Sequence, residues 1–249
     1  MHLLLILLAL LTGCGGGSEE APGNSLRIAV IPKGTTHDFW RMVHAGAIKA
    51  QRELNGAGGR KIEIIWKGPL KEDNTEEQIN LVRTFVSRGI DGMVLAPLDK
   101  SALVRPVRDA AAKGVPVVIF DSGLDAEVGK DFATYVATDN YKGGVMAAQR
   151  MGQILDGKGN VIMLRYQAGS QSTENREKGF LETLAKEFPG IKVLSENQRA
   201  TSDINEAKLK STSMLLKFKS QLDGVFTVCE PHNKGMLAAL EDNKLTTKV

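Results

Sequence analysis

The sequence predicts an α/β fold with parallel sheets flanked by helices, and two observations carry this prediction. Short apolar runs rich in β-branched residues alternate with longer stretches whose apolar residues recur at helical spacing. Strands of a parallel sheet are covered on both faces, so they read as continuous apolar runs. Strand, helix and strand in succession indicate right-handed βαβ units. About eight strands can form one broad sheet or two smaller ones.

The predicted strands are continuous apolar or β-branched segments bounded by turn-forming residues. They cover residues 26–31, 61–66, 92–95, 116–120, 135–138, 160–164, 191–195 and 224–228. After Pro32, the first segment is followed by "KGTTHDFW", which places two adjacent aromatic residues just after a strand-to-helix turn.

The helices are predicted from apolar spacing and end signals. Asp38 is the expected N-cap of the first helix. Its apolar face is Phe39, Met42, Val43, Gly46, Ala47, Ala50 and Leu54. For the second helix, Thr75 and Gln78 match a capping box, and Gly89 marks its end. Ile79, Val82 and Val86 are its expected buried stripe. Pro106 is expected to kink or restart the third helix, over residues 101–113. Further helices are predicted over 141–155, 173–188, 204–217 and 233–243.

The N-terminus has the pattern of an export signal. Residues 3–11 form an apolar run too short to span a bilayer, and Leu11-Thr-Gly-Cys14 resembles the lipobox of bacterial lipoproteins. We expect a signal peptide over residues 1–13, lipidation at Cys14, and a flexible tether over 14–25. The mature protein would then be held extracytoplasmically, in the periplasm or on the outer face of the membrane. The alternative is a buried apolar segment with a chance cysteine.

Composition narrows the function classes. The formal net charge is only +3 and the basic residues are scattered, which argues against a nucleic-acid partner. If Cys14 is acylated, Cys229 is the only remaining cysteine and no intramolecular disulfide can form. His37 and His44 are seven residues apart, too far for one helical metal site without other ligands. We therefore expect neither a metal nor another cofactor.

Common enzyme motifs are missing from the sequence. It contains no G-x-S-x-G, H-E-x-x-H or G-x-x-x-x-G-K-[ST] pattern. The glycine-rich residues 56–59 lie between a helix and a strand, the wrong side of a βαβ unit for phosphate binding. An extracytoplasmic hydrolase would need a nucleophile–base pair, and none is evident. We expect a protein that is not an enzyme.

Polar and charged residues follow several predicted strands, at the edge where open α/β sheets bind ligands. They are Lys33, Asp121, Asp139, Asn140, Arg165, Tyr166, Cys229 and Glu230, with Arg176 at the start of a helix. Phe39 and Trp40 face the same crevice. Carboxylates, amides and basic groups can hydrogen-bond sugar hydroxyls, while aromatic rings stack on the less polar sugar faces. The alternatives remain open: a helix cap, turn former or surface ion pair for each polar residue, and core anchors for the two aromatics.

Five segments in order resemble the type I periplasmic binding proteins, the ribose-binding-protein family of sugar ABC transporters. They are "IAVIPKGTTHDFW", "RGIDGMVLAPLD", "GVPVVIFDSG", "VATDNYKGG" and "ENREKGF". The resemblance runs from about Leu26 to the end of the chain. It implies an α/β fold of two similar domains, joined by a three-strand hinge and closing on a sugar without catalysis. We place the domains at residues 26–138 and 139–249, and we expect the second to be incomplete because the chain stops where the pattern predicts another strand.

The resemblance also implies roles for particular residues. It gives polar ligand contacts at Lys33 and His37, aromatic stacking at Phe39 and Trp40, and further contacts at Asp121, Arg176, Cys229 and Glu230. Three positions depart from the family pattern: His37 and Cys229 stand where asparagine is common, and Ser122 stands where arginine is common.

The implied function is capture of a small sugar or related polyol and its delivery to an ABC permease by a monomeric, membrane-tethered receptor. Two alternatives share the same core: a membrane-anchored sugar sensor that feeds a signalling receptor, and a LacI-type regulator. A regulator of that type would carry an N-terminal helix-turn-helix where this chain has a signal sequence.

Overall fold

The computed structural model describes residues 25–246, and their strands form two separate parallel sheets. The first sheet contains β1 (Ser25–Ile31), β2 (Lys61–Trp66), β3 (Gly92–Leu95), β4 (Val117–Phe120) and β5 (Thr134–Val136), in the order β2-β1-β3-β4-β5. The second contains β6 (Lys158–Tyr166), β7 (Gly190–Ala200) and β8 (Gly224–Thr227), in the order β7-β6-β8. The predicted α/β fold class is confirmed, and of the two arrangements left open the structure has two smaller sheets.

Residues 25–246 contain seven helices, of which the first six connect strands and the seventh follows β8. They are α1 (Asp38–Gly56), α2 (Thr75–Ser87), α3 (Val104–Ala112), α4 (Asn140–Ile154), α5 (Gln171–Glu187), α6 (Ile204–Phe218) and α7 (Glu230–Asp242). We call residues 25–138, with the first sheet, the first unit and residues 139–246, with the second sheet, the second unit. The predicted domain boundary lies between β5 and α4, and it stays a prediction.

The core of the second unit follows the alternation of side chains along β6. Val161 and Met163 pack with α4 and α5 on one face of the sheet. Ile162 and Leu164 pack with α6 and α7 on the other face. Because successive residues of a strand point to opposite faces, one apolar run supplies both layers.

Two glycines bring α4 and α5 into close contact. A Cβ added at Gly144 would lie 2.1 Å from the backbone oxygen of Arg176, and one added at Gly179 would lie 2.2 Å from that of Tyr141. Any side chain would separate the helices. The glycines therefore position the start of α5, from which Arg176 projects.

The predicted buried face of α1 is wrong. Trp40, which the prediction omitted from that face, is only 2% exposed, whereas Met42 and Leu54 are largely exposed. The helix contacts β2 through polar groups: the His44 ring stacks on Trp66 at 4.6 Å, and the Gln51 side chain accepts a hydrogen bond from the Ile64 amide. These partners rotate the helix away from its apolar stripe.

Helix ends also differ from the predictions. Asp38 is the first residue of α1 rather than its N-cap, which is His37. In α2 the cap is Asn74, whose side chain accepts from the Glu77 amide at 2.9 Å. Pro106 lies in the first turn of α3. Amides of a first turn have no helical partner, so the proline causes no kink there.

Gln78, expected as the last residue of a capping box, is buried instead. Its side-chain amide donates to the backbone oxygens of Pro32 and Ala96, and its side-chain oxygen accepts from the Leu98 amide. These bonds tie the loops that follow β1 and β3 together. Gly89 ends α2 as predicted, with a φ of 66° that favours glycine.

The structure holds no helix, among residues 25–246, that is long and apolar enough to cross a membrane. The predicted signal peptide, Cys14 and the tether up to residue 24 lie outside the described residues.

Candidate functional site

A cleft lies between the two units at the carboxyl ends of their strands. In the first sheet the chain order changes direction between β1 and β3, and in the second between β6 and β8. Ligands of open α/β sheets bind at such switch points. The cleft encloses about 480 Å³ of empty space, counting the part open to solvent.

The structure brings eight of the nine predicted site residues to this cleft. The eight are Lys33, His37, Phe39, Trp40, Asp121, Arg176, Cys229 and Glu230. Asn140 lies behind Arg176, and its side-chain oxygen accepts from the Arg176 Nε at 2.9 Å. Asp139 is the N-cap of α4, which was the alternative for that residue.

A buried ion pair lies at the centre of the cleft. Lys33 is only 3% exposed, and its Nζ lies 3.7 Å from the Asp121 carboxylate. The same Nζ donates to the hydroxyls of Ser170 and Ser172 of the second unit at 2.8 and 3.2 Å. Burial lowers the pKa of Lys33 and raises the pKa of Asp121, while their mutual attraction opposes both shifts.

The backbone at Asp121 is held in an uncommon conformation. Its φ is 62°, in the left-handed region that aspartate and asparagine tolerate better than most residues. The Asp121 amide donates to the Val136 oxygen of β5, which fixes this turn to the sheet. Strain of this kind persists where surrounding structure holds it, often at ligand sites. The left-handed conformation at Asp121 directs its carboxylate into the cleft, directly after β4.

Glu72 is the main cleft residue that sequence reasoning missed. Its carboxylate accepts from the His37 Nδ1 and the Trp40 Nε1, each at 2.7 Å, and from the Tyr166 hydroxyl at 3.1 Å. Burial opposes ionisation of Glu72, but the His37 bond, the Lys33 charge and the Trp40 bond together lower its pKa. The bond to Glu72 in turn raises the pKa of His37. Glu72 therefore stays an anion that links both units.

Hydrogen bonds to buried groups fix two cleft residues of the second unit, Arg176 and Tyr166. Arg176 donates from one guanidinium nitrogen to the Val228 oxygen at 2.5 Å, besides its bond to Asn140. The Tyr166 amide donates to the fully buried Glu177 carboxylate at 3.0 Å. Arg165 pairs with Glu177 rather than facing the cleft, so for Arg165 the ion-pair alternative is the right one.

Cys229 and Glu230 reach the cleft from the end of β8. Cys229 is a free cysteine, and burial raises the pKa of its thiol to about 12. At neutral pH it is therefore a weak hydrogen-bonding group rather than a nucleophile. Glu230 accepts from the Phe39 amide of the first unit at 2.9 Å.

The missed residues had only a weak signal. Glu72 lies six positions after the end of β2, beside other acidic residues of the same loop, and nothing in the sequence separates it from them. Ser170, Ser172 and Thr173 belong to a polar segment that follows β6, on the expected edge.

Phe39 and Trp40, the two adjacent aromatic residues of the "KGTTHDFW" segment, have different environments. The Phe39 ring is 46% exposed at the cleft, and it contacts Trp40 edge-on with ring centres 4.9 Å apart. Trp40 is buried and also contacts Phe120 edge-on at 6.2 Å. Both line the cleft, but Trp40 is at the same time a core residue.

We expect Phe39→Ala to weaken binding of a ligand whose apolar face covers the Phe39 ring by roughly 5- to 30-fold, because such stacking contributes about 1–2 kcal/mol. The melting temperature should change little. Trp40→Ala is the contrasting variant: it should lower the free energy of unfolding by about 3–5 kcal/mol. Calorimetric titration and thermal melts separate the two effects. If Phe39→Ala chiefly lowers the melting temperature, Phe39 is a core anchor and not a ligand contact.

Known proteins resemble this chain over most of its length. The sequence profile of a family described as a periplasmic binding protein domain matches residues 28–249. A xylitol-binding protein of Mycolicibacterium smegmatis is 29% identical over 232 residues, which are 93% of this chain and 62% of the relative. A D-ribose/D-allose-binding protein of Pseudomonas aeruginosa is 27% identical over 192 residues, 76% of this chain and 58% of the relative.

Solved structures give the same result for the fold. A solute-binding protein of a carbohydrate transporter from Agrobacterium radiobacter, in complex with D-arabinose, superposes with a TM-score of 0.83 at 29% identity. The match covers 90% of this chain and 74% of that protein. One from Agrobacterium vitis with bound D-fucose has a TM-score of 0.80 at 30% identity, covering 88% and 72%. The chain spans about three fifths of the length of the curated relatives named above.

Proposed function

Because the chain belongs to the periplasmic binding protein family, we propose that it captures a small sugar or related polyol in the cleft between its two units. It then delivers this ligand to an ABC transporter permease. The observation that carries the proposal is the set of charged groups at the cleft: the buried Lys33 paired with the partly buried Asp121, together with the partly buried Glu72 and Arg176. Charged groups fixed in this way can satisfy a ligand that offers several hydroxyls.

Hydrogen-bond chemistry supports a polyhydroxylated ligand. A sugar hydroxyl can donate to the Asp121 carboxylate and accept from the Arg176 guanidinium or the Lys33 ammonium. Each hydrogen bond to a charged group contributes about 1.5–3 kcal/mol. Ligands without the matching hydroxyl would leave a buried charge unpaired and would be rejected. The less polar C–H face of the same sugar can stack on the apolar Phe39 ring.

Cross-cleft contacts support a mechanism by closure of the two units. Lys33 of the first unit binds Ser170 of the second, and Glu72 binds Tyr166 across the same gap. A ligand that touches both units binds the closed arrangement better than the open one. It shifts the equilibrium by that difference in affinity, and a permease can then recognise the closed form.

We propose that the protein catalyses no reaction. Cys229 lines the cleft, and burial raises the pKa of its thiol to about 12. His232 is buried behind it, where its ring nitrogen binds the Thr201 oxygen. An activated nucleophile needs a lowered pKa or an adjacent base, and this pair offers neither.

The proposed receptor has two domains and is tethered to the membrane. Domains over residues 26–138 and 139–249 are supported by the separate sheets and by the packing of α4 on α5 rather than on the first sheet. Lipidation at Cys14 would hold the receptor at the membrane, outside the cytoplasm, as a monomer. Metabolic labelling with a fatty-acid probe, compared with Cys14→Ser, tests this anchor.

A ligand panel tests the proposed function. We expect the thermal melt of the full chain to shift upward with at least one of D-ribose, D-arabinose, D-allose, D-fucose and xylitol. A ligand at 100 times its Kd adds about 2.7 kcal/mol to the free energy of unfolding when it binds only the folded state. The matched control is Asp121→Asn, which should fold and lose the shift. A cooperative melt that none of these compounds moves would contradict the proposal.

A further inference from the structure

The N-termini of α1 and α7 face each other across the mouth of the cleft. Neither helix is capped by the side chain of its own N-cap residue, His37 for α1 and Cys229 for α7. Amides in the first turn of a helix have no helical partner and need one from elsewhere. The amide of Phe39 in α1 obtains it from Glu230 of α7, at 2.9 Å, so the cap comes from the other unit.

Lys234 completes a charged bridge at the same place. Its Nζ donates to the Asp38 carboxylate of the first unit at 2.8 Å and to the Glu230 carboxylate of its own helix at 2.6 Å. The two carboxylates raise the pKa of Lys234 to about 12. Asp38 and Lys234 lie at the rim, outside the set of residues that line the cleft in the described part of the chain.

These contacts can exist only when the two units are close together. Separation of the units would remove the cap of α1 and break the bond between Lys234 and Asp38. The Phe39 amide, at the positive N-terminus of α1, would then lose the Glu230 carboxylate that it binds here. The bridge therefore favours the closed arrangement without touching the ligand.

We propose that Lys234 is a positioning residue that latches the cleft shut, through Asp38 and Glu230, and so raises the affinity for every ligand by the same factor. The proposal rests on the proposed sugar-binding function. A residue of this kind changes the populated fraction of the closed state, and the apparent Kd is inversely proportional to that fraction. Ligand selectivity remains with the groups that line the cleft.

The expected size of the effect on affinity follows from the solvent exposure of the Lys234–Asp38 bridge. The Lys234 and Asp38 side chains are 46% and 64% exposed, so the bridge is well solvated. Exposed ion pairs change an equilibrium by roughly two- to fivefold, and salt weakens them. We therefore expect a modest, salt-sensitive effect that is uniform across ligands.

The first experiment compares affinities. Lys234→Met retains the aliphatic stem and removes the charge. We expect it to weaken binding of D-ribose, D-arabinose and xylitol by about two- to fivefold each at low salt. The rank order should stay unchanged, and the difference from wild type should vanish near 1 M salt, where the Debye length is about 3 Å. Lys234→Arg should restore binding. A changed rank order would mean that Lys234 contacts the ligand, and would overturn the latch.

The matched control is Lys208→Met. Lys208 pairs with Asp242 at 2.7 Å between α6 and α7, within the second unit, and its side chain is similarly exposed. Removing its charge tests a salt bridge on the same helix layer that does not cross the cleft. An equal loss of affinity in both variants would assign the Lys234 effect to stability of the second unit and overturn the proposal.

A second experiment needs no ligand. Small-angle X-ray scattering of the ligand-free chain should give a larger radius of gyration for Lys234→Met than for wild type at low salt, and similar values at 1 M salt. If wild type binds no sugar yet shows this difference, the sugar-binding function fails and the latch stands. If scattering does not distinguish the variants at low salt, the latch is wrong even where sugar binding is observed.

Discussion

Asp121→Asn is expected to weaken sugar binding by roughly 30-fold or more, because truncating one partner of a buried charge pair costs about 2–5 kcal/mol. The exchange removes the charge while keeping the size of the side chain. Asparagine also tolerates the left-handed backbone at this position, where φ is 62°. The Lys33 ammonium would keep its two serine partners but lose its carboxylate. Calorimetric titration with the sugar that gives the largest thermal shift measures the loss.

The control for this variant is Asp131→Asn. Asp131 is also buried in the first unit and forms a two-point bridge with Arg108, with both distances 3.0 Å, away from the cleft. This variant should lower the melting temperature and leave the sugar Kd unchanged. An Asp121→Asn protein that melts cooperatively and binds within twofold of wild type would remove Asp121 from the binding site.

Glu72→Gln is expected to weaken binding by roughly 10- to 150-fold, because hydrogen bonds to a charged group contribute about 1.5–3 kcal/mol. Glutamine places an NH₂ group among the His37, Trp40 and Tyr166 donors, where the carboxylate has only acceptors. At least one of these donors then loses its partner. Because one of them belongs to the second unit, closure of the cleft should weaken together with the placement of Trp40.

Titration of His37 gives an independent readout of the same change. Glu72 raises the pKa of His37, so the contribution of this pair is present below the ordinary histidine pKa and is lost as pH rises through the folded-state pKa. In Glu72→Gln the pKa of His37 should move down, which NMR of the ring protons measures. Asp73→Asn, in the same loop and exposed, is the control. If both variants bind sugar equally well, Glu72 has no role in the site.

Much of the fold follows from local patterns. The starts and ends of β2 and β3 agree with the predictions from residue type alone, and the remaining strands differ mainly at their ends. Buried parallel strands are recognisable because both of their faces need apolar residues, which gives continuous apolar runs. Helices are recognisable because their apolar residues recur every three or four positions. The edge that carries the site was also predictable, since parallel strands bring their carboxyl ends to one side.

The buried face of α1 and the contact partners of the site residues were less predictable. The rotation of α1 depends on contacts of His44 and Gln51 with β2, and polar contacts leave no apolar periodicity in the sequence. Asn140 is adjacent to the predicted strand end, yet it supports Arg176 from behind. Glu72 comes from a loop whose path is set by packing, so its position near Trp40 has no counterpart in residue spacing.

The sequence by itself determined the α/β class, the succession of strands and helices, and the edge at which Lys33, Asp121, Arg176 and Cys229 meet. These properties depend on local periodicity and on the polarity of parallel strands. Only the tertiary structure decided that Glu72 joins Trp40 to Tyr166, that Trp40 is buried while Phe39 is exposed, and that Lys234 reaches Asp38. Asp38 and Lys234 are 196 positions apart, and such contacts depend on how two units pack, which no local pattern encodes.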